Sequence, residues 1–265
     1  MLFIIAYRAL CTNCSYQGAA MSIKQQRTAI VTGASGGIGR AVTERLTADG
    51  FAVVAHYSGN RQRAEELVET IRSRGGQAIS FAGDVADDAD MSALFDAADA
   101  SFGGVDVVVH TAGIMPLAPV VELDLETFDQ VQRINVRGTI VVAQQAARRV
   151  RAGGAIITFS TSITRLQTPG YAAYAMSKGA VEALTLILAR ELRGRDITVN
   201  AIAPGPTDTP LFREGKSQQL IDTIAGMNPM ERLGSPEDIA GVVSALAGSV
   251  RWINGQVLYA NGGAA

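Results

Sequence analysis

The sequence predicts an α/β fold: one doubly wound domain with a seven-stranded parallel sheet and helices on both faces. Three observations predict it. Short β-rich runs alternate with longer helical stretches along the chain. The runs are nearly continuous in apolar residues, which marks strands buried on both faces. The connections are short, with no linker, repeat or low-complexity segment. Strand–helix–strand repetition of this kind needs parallel pairing with crossovers. A length of 265 residues suits one such domain, and 48% hydrophobic against 18% charged residues supplies a core and excludes a disordered chain.

Taken in order, the predicted strands are Arg27–Thr32 (RTAIVT), Ala52–Tyr57 (AVVAHY), Ala78–Ala82 (AISFA), Val105–His110 (VDVVVH), Ala155–Phe159 (AIITF), Ile197–Ala203 (ITVNAIA) and Gln256–Ala260 (QVLYA). The predicted helices between them are Ile38–Ala48, Arg61–Arg74, Met91–Phe102, Phe128–Val150, Ala172–Arg193 and Pro236–Ala247. In such folds ligands sit beyond the carboxyl ends of the strands.

Composition excludes several classes. With 23 basic and 25 acidic residues the net charge is −2, so neither nucleic acid nor an anionic membrane is a general partner. The continuous apolar runs are shorter than the ~20 residues of a membrane helix. Only Cys11 and Cys14 are cysteines, which excludes a disulfide scaffold and suits a cytoplasmic protein. Cys11-Thr-Asn-Cys14 has zinc-ligand or redox spacing but no second ligand pair, so no metal is expected. Residues 1–20 read as an extension, disordered or a mis-assigned start, with translation beginning at Met21. The domain then spans 21–265.

Thr32-Gly-Ala-Ser-Gly-Gly-Ile-Gly39 follows the first strand and opens a helix. Glycines let a backbone approach a pyrophosphate closely, and the helix amino end offers free N–H groups. The end of the second strand, Ala55–Arg63, holds no acid to bond a ribose diol. Ser58, Asn60 and Arg61 there, with Arg40, suit a 2′-phosphate instead. NADP(H) is therefore favoured, with NAD(H) as the alternative.

Tyr174-Ala-Met-Ser-Lys178 puts a phenol and an ammonium one helical turn apart on one face. A phenol with pKa near ~10 needs tuning to move protons at neutral pH, and a nearby cation favours the phenolate. Ser160-Thr161-Ser162 closes the fifth strand, where hydroxyls either hold a substrate oxygen or turn the chain. Asn135 falls inside a helical run, where an amide is mildly unfavourable and is usually exposed.

Thr32-Gly33-x-x-x-Gly37-x-Gly39, Asp84-Val85, Ala112-Gly113, Asn135, Tyr174-x-x-x-Lys178 and Pro204-Gly205 resemble the ordered motif set of the classical short-chain dehydrogenases/reductases. The resemblance runs from about residue 25 to the C-terminus. Pro169–Lys178 and Asn254–Gly263 are similar to the β-ketoacyl-acyl-carrier-protein reductase and trihydroxynaphthalene reductase branch. It implies a Rossmann-type domain and an oxidoreductase moving hydride between a nicotinamide and a carbonyl or secondary alcohol. Tyr174 would be the proton donor. Lys178 would lower its pKa and bind the nicotinamide ribose, and Asn135 would hold a relay water. Gly33, Gly37 and Gly39 would line the pyrophosphate, with Ser35 and Ile38 of the same loop in contact. Asp84 and Val85 would meet the adenine. Ala112, Gly113, Pro204 and Gly205 would border the cofactor, and Thr207 would bond its carboxamide.

Two departures stand out. The usual serine, thirteen residues before the tyrosine, is Thr161, leaving open which of Ser160, Thr161 and Ser162 polarises the substrate. The usual Asn-Asn-Ala-Gly reads His110-Thr111-Ala112-Gly113, where Thr111 would brace backbone and His110 would be packed. The segment at about 206–233 resembles a substrate lid. No basic patch is dedicated to a carrier protein, although Arg148, Arg149 and Arg151 form a cluster. Apolar stretches on several faces of the Asn135 and Tyr174 helices suit cover by the sheet on one side and a second subunit on the other, and the resemblance implies a homotetramer built on those helices and the C-terminal strand. The alternatives are an NAD-dependent sugar or cyclic-alcohol dehydrogenase, and a dinucleotide-binding regulator without turnover.

Overall fold

The computed structural model describes residues 26–265. The readings on Cys11, Cys14 and the Met21 start lie outside them. Seven strands form one parallel sheet: β1 (Thr28–Thr32), β2 (Ala52–Tyr57), β3 (Ala78–Ala82), β4 (Val105–His110), β5 (Val150–Phe159), β6 (Thr198–Pro204) and β7 (Val257–Ala260). Their order is β3-β2-β1-β4-β5-β6-β7. The chain winds outward from β1 in one direction and restarts at β4 in the other. The crevice between the carboxyl ends of β1 and β4 is therefore the switch point where such sheets bind ligands.

Alternate residues feed the two faces. Ala29, Val31, Val53, Val107, Val109 and Ile157 pack under α1 (Gly37–Ala48) and α10 (Pro236–Ala247), against Val42, Leu46, Ile239 and Val243. Ile30, Val54, Val108, Ile156 and Val199 face the other layer. That layer is built from α3 (Asp88–Phe102), α5 (Gly138–Arg149) and α7 (Ala172–Glu191). The amphipathic α2 (Arg61–Ser73) buries Ala64, Leu67, Val68 and Ile71 and starts on Asn60, whose side chain caps it by accepting from Arg63 N. By length and composition alone α7 is apolar enough to cross a membrane, but Val181, Thr185 and Leu188 on its inner face are buried in this layer.

Two differences from expectation bear on the site. The predicted helix Phe128–Val150 is three pieces: α4 (Leu125–Val131), a π-helical segment (Gln132–Arg137) and α5. The fifth strand begins at Val150 rather than Ala155. Arg151-Ala-Gly-Gly falls between the predicted helix and strand, yet here it is a strand with a register shift opposite Val105–Val107. Gly153 has φ +81°, and a Cβ on Gly154 would lie 2.4 Å from the Asp106 carbonyl, so glycines are what let β5 pass β4 there. The remaining helices are short: α6 (Ile163–Leu166) after β5, and α8 (Pro210–Arg213) and α9 (Gln218–Met227) after β6.

Candidate active site

The loop after β1 is held open by close backbone approach. Gly33 has φ +70°, and a Cβ there would sit 2.9 Å from Ala112 Cα of the loop after β4. A Cβ on Gly39 would sit 2.2 Å from the Gly33 carbonyl oxygen. Thr111 Oγ1 donates to Thr32 O at 2.6 Å, the expected bracing role. The N-cap of α1 is Gly36, exposed and without a side-chain cap, and the first turn has no acidic residue. Ser35 and Ile38 flank that turn. The uncapped amino end leaves N–H groups for an outside acceptor, and the glycines leave room for it, so this cradle fits the diphosphate of a dinucleotide.

Beyond β2, Ser58, Asn60 and Arg61 are exposed together. Asn60 Oδ1 accepts from Arg63 N at 3.0 Å, while its Nδ2 stays free to donate. Arg61 pairs with Glu65 in an exposed i,i+4 pair that holds little energy and yields readily to an anion, and Arg40 pairs with Glu44 in a half-buried one. His56 points into the sheet layer instead, its Nε2 3.0 Å from Gly83 O.

After β3, Asp84 accepts from Ala86 N at 2.9 Å and pairs with Arg133 of the π segment. Burial pushes the carboxyl up, but the Ala86 N–H and the Arg133 guanidinium outweigh it and hold Asp84 below the usual range. Val85 is buried against α5, where a Cβ on Gly138 would lie 2.7 Å from its Cγ2. The Arg133 contact was not read from the sequence, since it joins residues 49 positions apart.

Asn135 contradicts the exposed reading. It is fully buried in the π segment. Its Oδ1 accepts from Ile114 N at 2.9 Å, and its Nδ2 donates to Ile114 O at 2.9 Å and Ser177 Oγ at 3.0 Å. One amide thus ties the loop after β4 to the Tyr174 helix, and the π widening gives it room. Gly113 lies alongside: a Cβ there would be 3.1 Å from Asn135 Oδ1 and 3.5 Å from Lys178 Nζ.

Tyr174 and Lys178 share one face of α7, with Nζ 5.7 Å from the ring centroid. Lys178 is buried and its Nζ donates to Phe159 O, at the end of β5, at 2.8 Å. Burial pushes the ammonium down to about 8. The expectation that Lys178 lowers the Tyr174 pKa is not met in the chain by itself. Burial pushes the phenol up to about 12, and the Thr161 hydroxyl beside it offsets this only in part.

The three hydroxyls that close β5 part company. Ser160 Oγ donates to Glu182 Oε1 at 2.5 Å. Ser162 Oγ lies 3.5 Å from Ala203 O and accepts from Asn261 Nδ2 at 3.1 Å. Thr161 alone faces Tyr174. His110 is buried, its Nδ1 2.8 Å from Thr32 Oγ1, and burial, with Lys178 and His56 adding to it, pushes the imidazole down to about 3. It is a neutral packed residue, as expected.

At the end of β6, a Cβ on Gly205 would meet Asn261, and the buried Thr207 donates to Gly205 O at 2.9 Å. Thr209, which caps α8, was missed by sequence reasoning: a Cβ on Gly37 would lie 2.8 Å from its Cγ2, so the 206–233 segment begins in contact with the glycine loop. Two members of the arginine cluster are spent in ion pairs, Arg149 with Asp96 and Asp99, and Arg151 with Asp106, while Arg148 is exposed.

The family model described as Enoyl-(Acyl carrier protein) reductase matches residues 33–265. A short-chain type dehydrogenase/reductase of Picea abies is 41% identical over 248 residues, 89% of this chain and 92% of the relative. The chain is a short-chain dehydrogenase/reductase. An NADPH-dependent aldehyde reductase-like chloroplastic protein of Arabidopsis thaliana is 38% identical to this dehydrogenase/reductase, over 89% of its chain and 93% of the relative. A short-chain dehydrogenase of Burkholderia cenocepacia, solved in complex with NADP, superposes with a TM-score of 0.85 at 36% identity, covering 91% and 98% of the two chains. The short-chain dehydrogenase/reductase is thus an oxidoreductase that moves hydride between a nicotinamide cofactor and a carbonyl or alcohol.

Proposed function

We propose that this enzyme is an NADPH-dependent carbonyl reductase in which Tyr174 gives the proton and Thr161 holds the substrate oxygen. The observation that carries the proposal is the convergence of Thr161, Tyr174 and Lys178, with Asn135 locking the loop and helix around them. The cofactor, when bound, supplies the hydride. The chain supplies the rest. A phenol at about 12 is protonated at neutral pH and donates its O–H to the carbonyl oxygen as negative charge develops there. The Lys178 ammonium then stabilises the tyrosinate that remains. A neutral phenol is the form that reduction starts from, whereas oxidation starts from the phenolate. Asn135 Nδ2 is fully used by Ile114 and Ser177, so a relay water at this residue belongs to the proposal and rests on the family resemblance.

Lys178 gives a pH prediction with a definite sign. Its amine is charged below about 8 and neutral above it. kcat/KM for reduction is expected to be flat near pH 6.5–7.5 and to fall as pH rises through that value, because the tyrosinate loses its partner. A profile rising through pH 8 contradicts the assignment.

Preference for NADP(H) is part of the same reading. It is supported by the exposed Ser58, Asn60 and Arg61, and by two similar proteins, the NADPH-dependent aldehyde reductase-like protein and the dehydrogenase solved in complex with NADP. Ser58→Asp is expected to move the NADPH/NADH ratio of kcat/KM toward NADH by at least about tenfold, since a carboxylate repels the 2′-phosphate and accepts from a ribose diol. An unaltered ratio places the phosphate elsewhere. The 206–233 segment is proposed as the substrate lid, carried by α8 and α9. Exposed Ile140 on α5, Leu186 and Ile187 on α7, and Trp252 before β7 support assembly as a homotetramer through those faces. A cytoplasmic location is proposed on the cysteine-free domain.

A further inference from the structure

We propose that Glu182 is a positioning residue that sets Thr161 against Tyr174. Glu182 stands one turn after Lys178 and two after Tyr174, so all three lie within one sector of α7. Its Oε1 gathers hydroxyls from three other elements. Ser160 Oγ at the end of β5 donates at 2.5 Å, Thr164 Oγ1 of α6 at 2.9 Å, and Tyr259 OH of β7 lies at 3.4 Å. Arg165 stacks on the Tyr259 ring at 3.7 Å and pins that side. The carboxylate therefore holds the residues on both sides of Thr161. Thr164 Oγ1 also lies 2.9 Å from Thr161 O, and Thr164 N donates to the same carbonyl at 3.3 Å. Backbone and neighbours of Thr161 are fixed to the helix that bears Tyr174, while its own hydroxyl, which accepts from Ile163 N at 3.3 Å, lies beside the phenol. Charge-assisted O–H bonds to a carboxylate are strong enough for this. The clamp also explains why Ser160, one position away, is spent on structure and not on substrate.

The proposal rests on Tyr174 and Thr161 acting as above, and its test separates the two. In purified enzyme, Glu182→Ala is expected to lower kcat about tenfold with the NADPH dissociation constant unchanged. Glu182→Gln, whose amide oxygen accepts the same hydroxyls, stays within about threefold of wild type. In a Thr161→Ala background, Glu182→Ala should lower kcat less than twofold further, because the residue it positions is gone. Crystal structures of both Glu182 variants give a readout without turnover: the Thr161 hydroxyl leaves Tyr174 in the alanine variant and stays in the glutamine variant. An additive loss in the double variant, or an unmoved Thr161 in Glu182→Ala, overturns the proposal. Absence of NADPH turnover in the wild type overturns the reductase reading, and the crystal structures still decide the clamp.

Discussion

Tyr174→Phe is expected to lower kcat by about 10³-fold while leaving NADPH affinity within about twofold. The phenylalanine keeps the ring beside Lys178 Nζ and removes only the O–H that reaches the carbonyl oxygen. The loss corresponds to about 4 kcal/mol of transition-state stabilisation, the scale of a positioned general acid. Stability should change little, because Tyr174 is only half-buried and the Thr161 hydroxyl beside it keeps its bond from Ile163 N. Fluorescence titration of NADPH alongside steady-state rates checks both halves. A variant that keeps more than a tenth of wild-type kcat removes Tyr174 from the reaction.

Gly39→Ala is expected to weaken NADPH binding by at least about 100-fold and to lower stability. Two effects oppose each other here. Alanine in a helix is favoured over glycine by roughly 1 kcal/mol. The added Cβ, however, would lie 2.2 Å from the Gly33 carbonyl oxygen and 2.8 Å from Thr111 Oγ1, and backbone has to move. Overpacking of this kind costs about 1–3 kcal/mol, so the clash wins. The Gly33 turn that shifts is the one that presents the free N–H groups of α1, so affinity falls more than stability does. Thermal unfolding is expected to drop by a few degrees, roughly 2–4 °C per kcal/mol at this size. Unchanged affinity means that the diphosphate does not use this cradle.

The parts that were legible in the sequence are those written locally. Near-continuous apolar runs such as Val105–His110 gave strand positions within a residue or two, because strands buried on both faces leave no polar alternation to confuse the reading. The glycine loop and the Tyr174–Lys178 spacing are also local. What stayed hidden depends on contacts across the chain. Asn135 reads as an exposed amide on an amphipathic helix, and only the Ile114 loop and Ser177, 21 and 42 positions away, make it a buried hub. The start of β5 was missed because Gly153-Gly154 falls outside the apolar run, and its place in the strand shows only once Asp106 is known to press against it. The choice among Ser160, Thr161 and Ser162 was open because it turns on Glu182 and Asn261. Glu182 had one sequence signal, its place four residues after Lys178 on the same helical face.

The central claim is that NADPH and Tyr174 together reduce a carbonyl in this fold. The measurement that tests it most directly is cofactor consumption by the purified protein against ketones, β-ketoacyl thioesters, quinones and ketosugars, with NADPH and NADH in parallel. The account predicts turnover with NADPH on at least one class, faster than with NADH. Silence with both cofactors across all four classes, in a protein that still binds NADPH, would contradict it and favour a binding role.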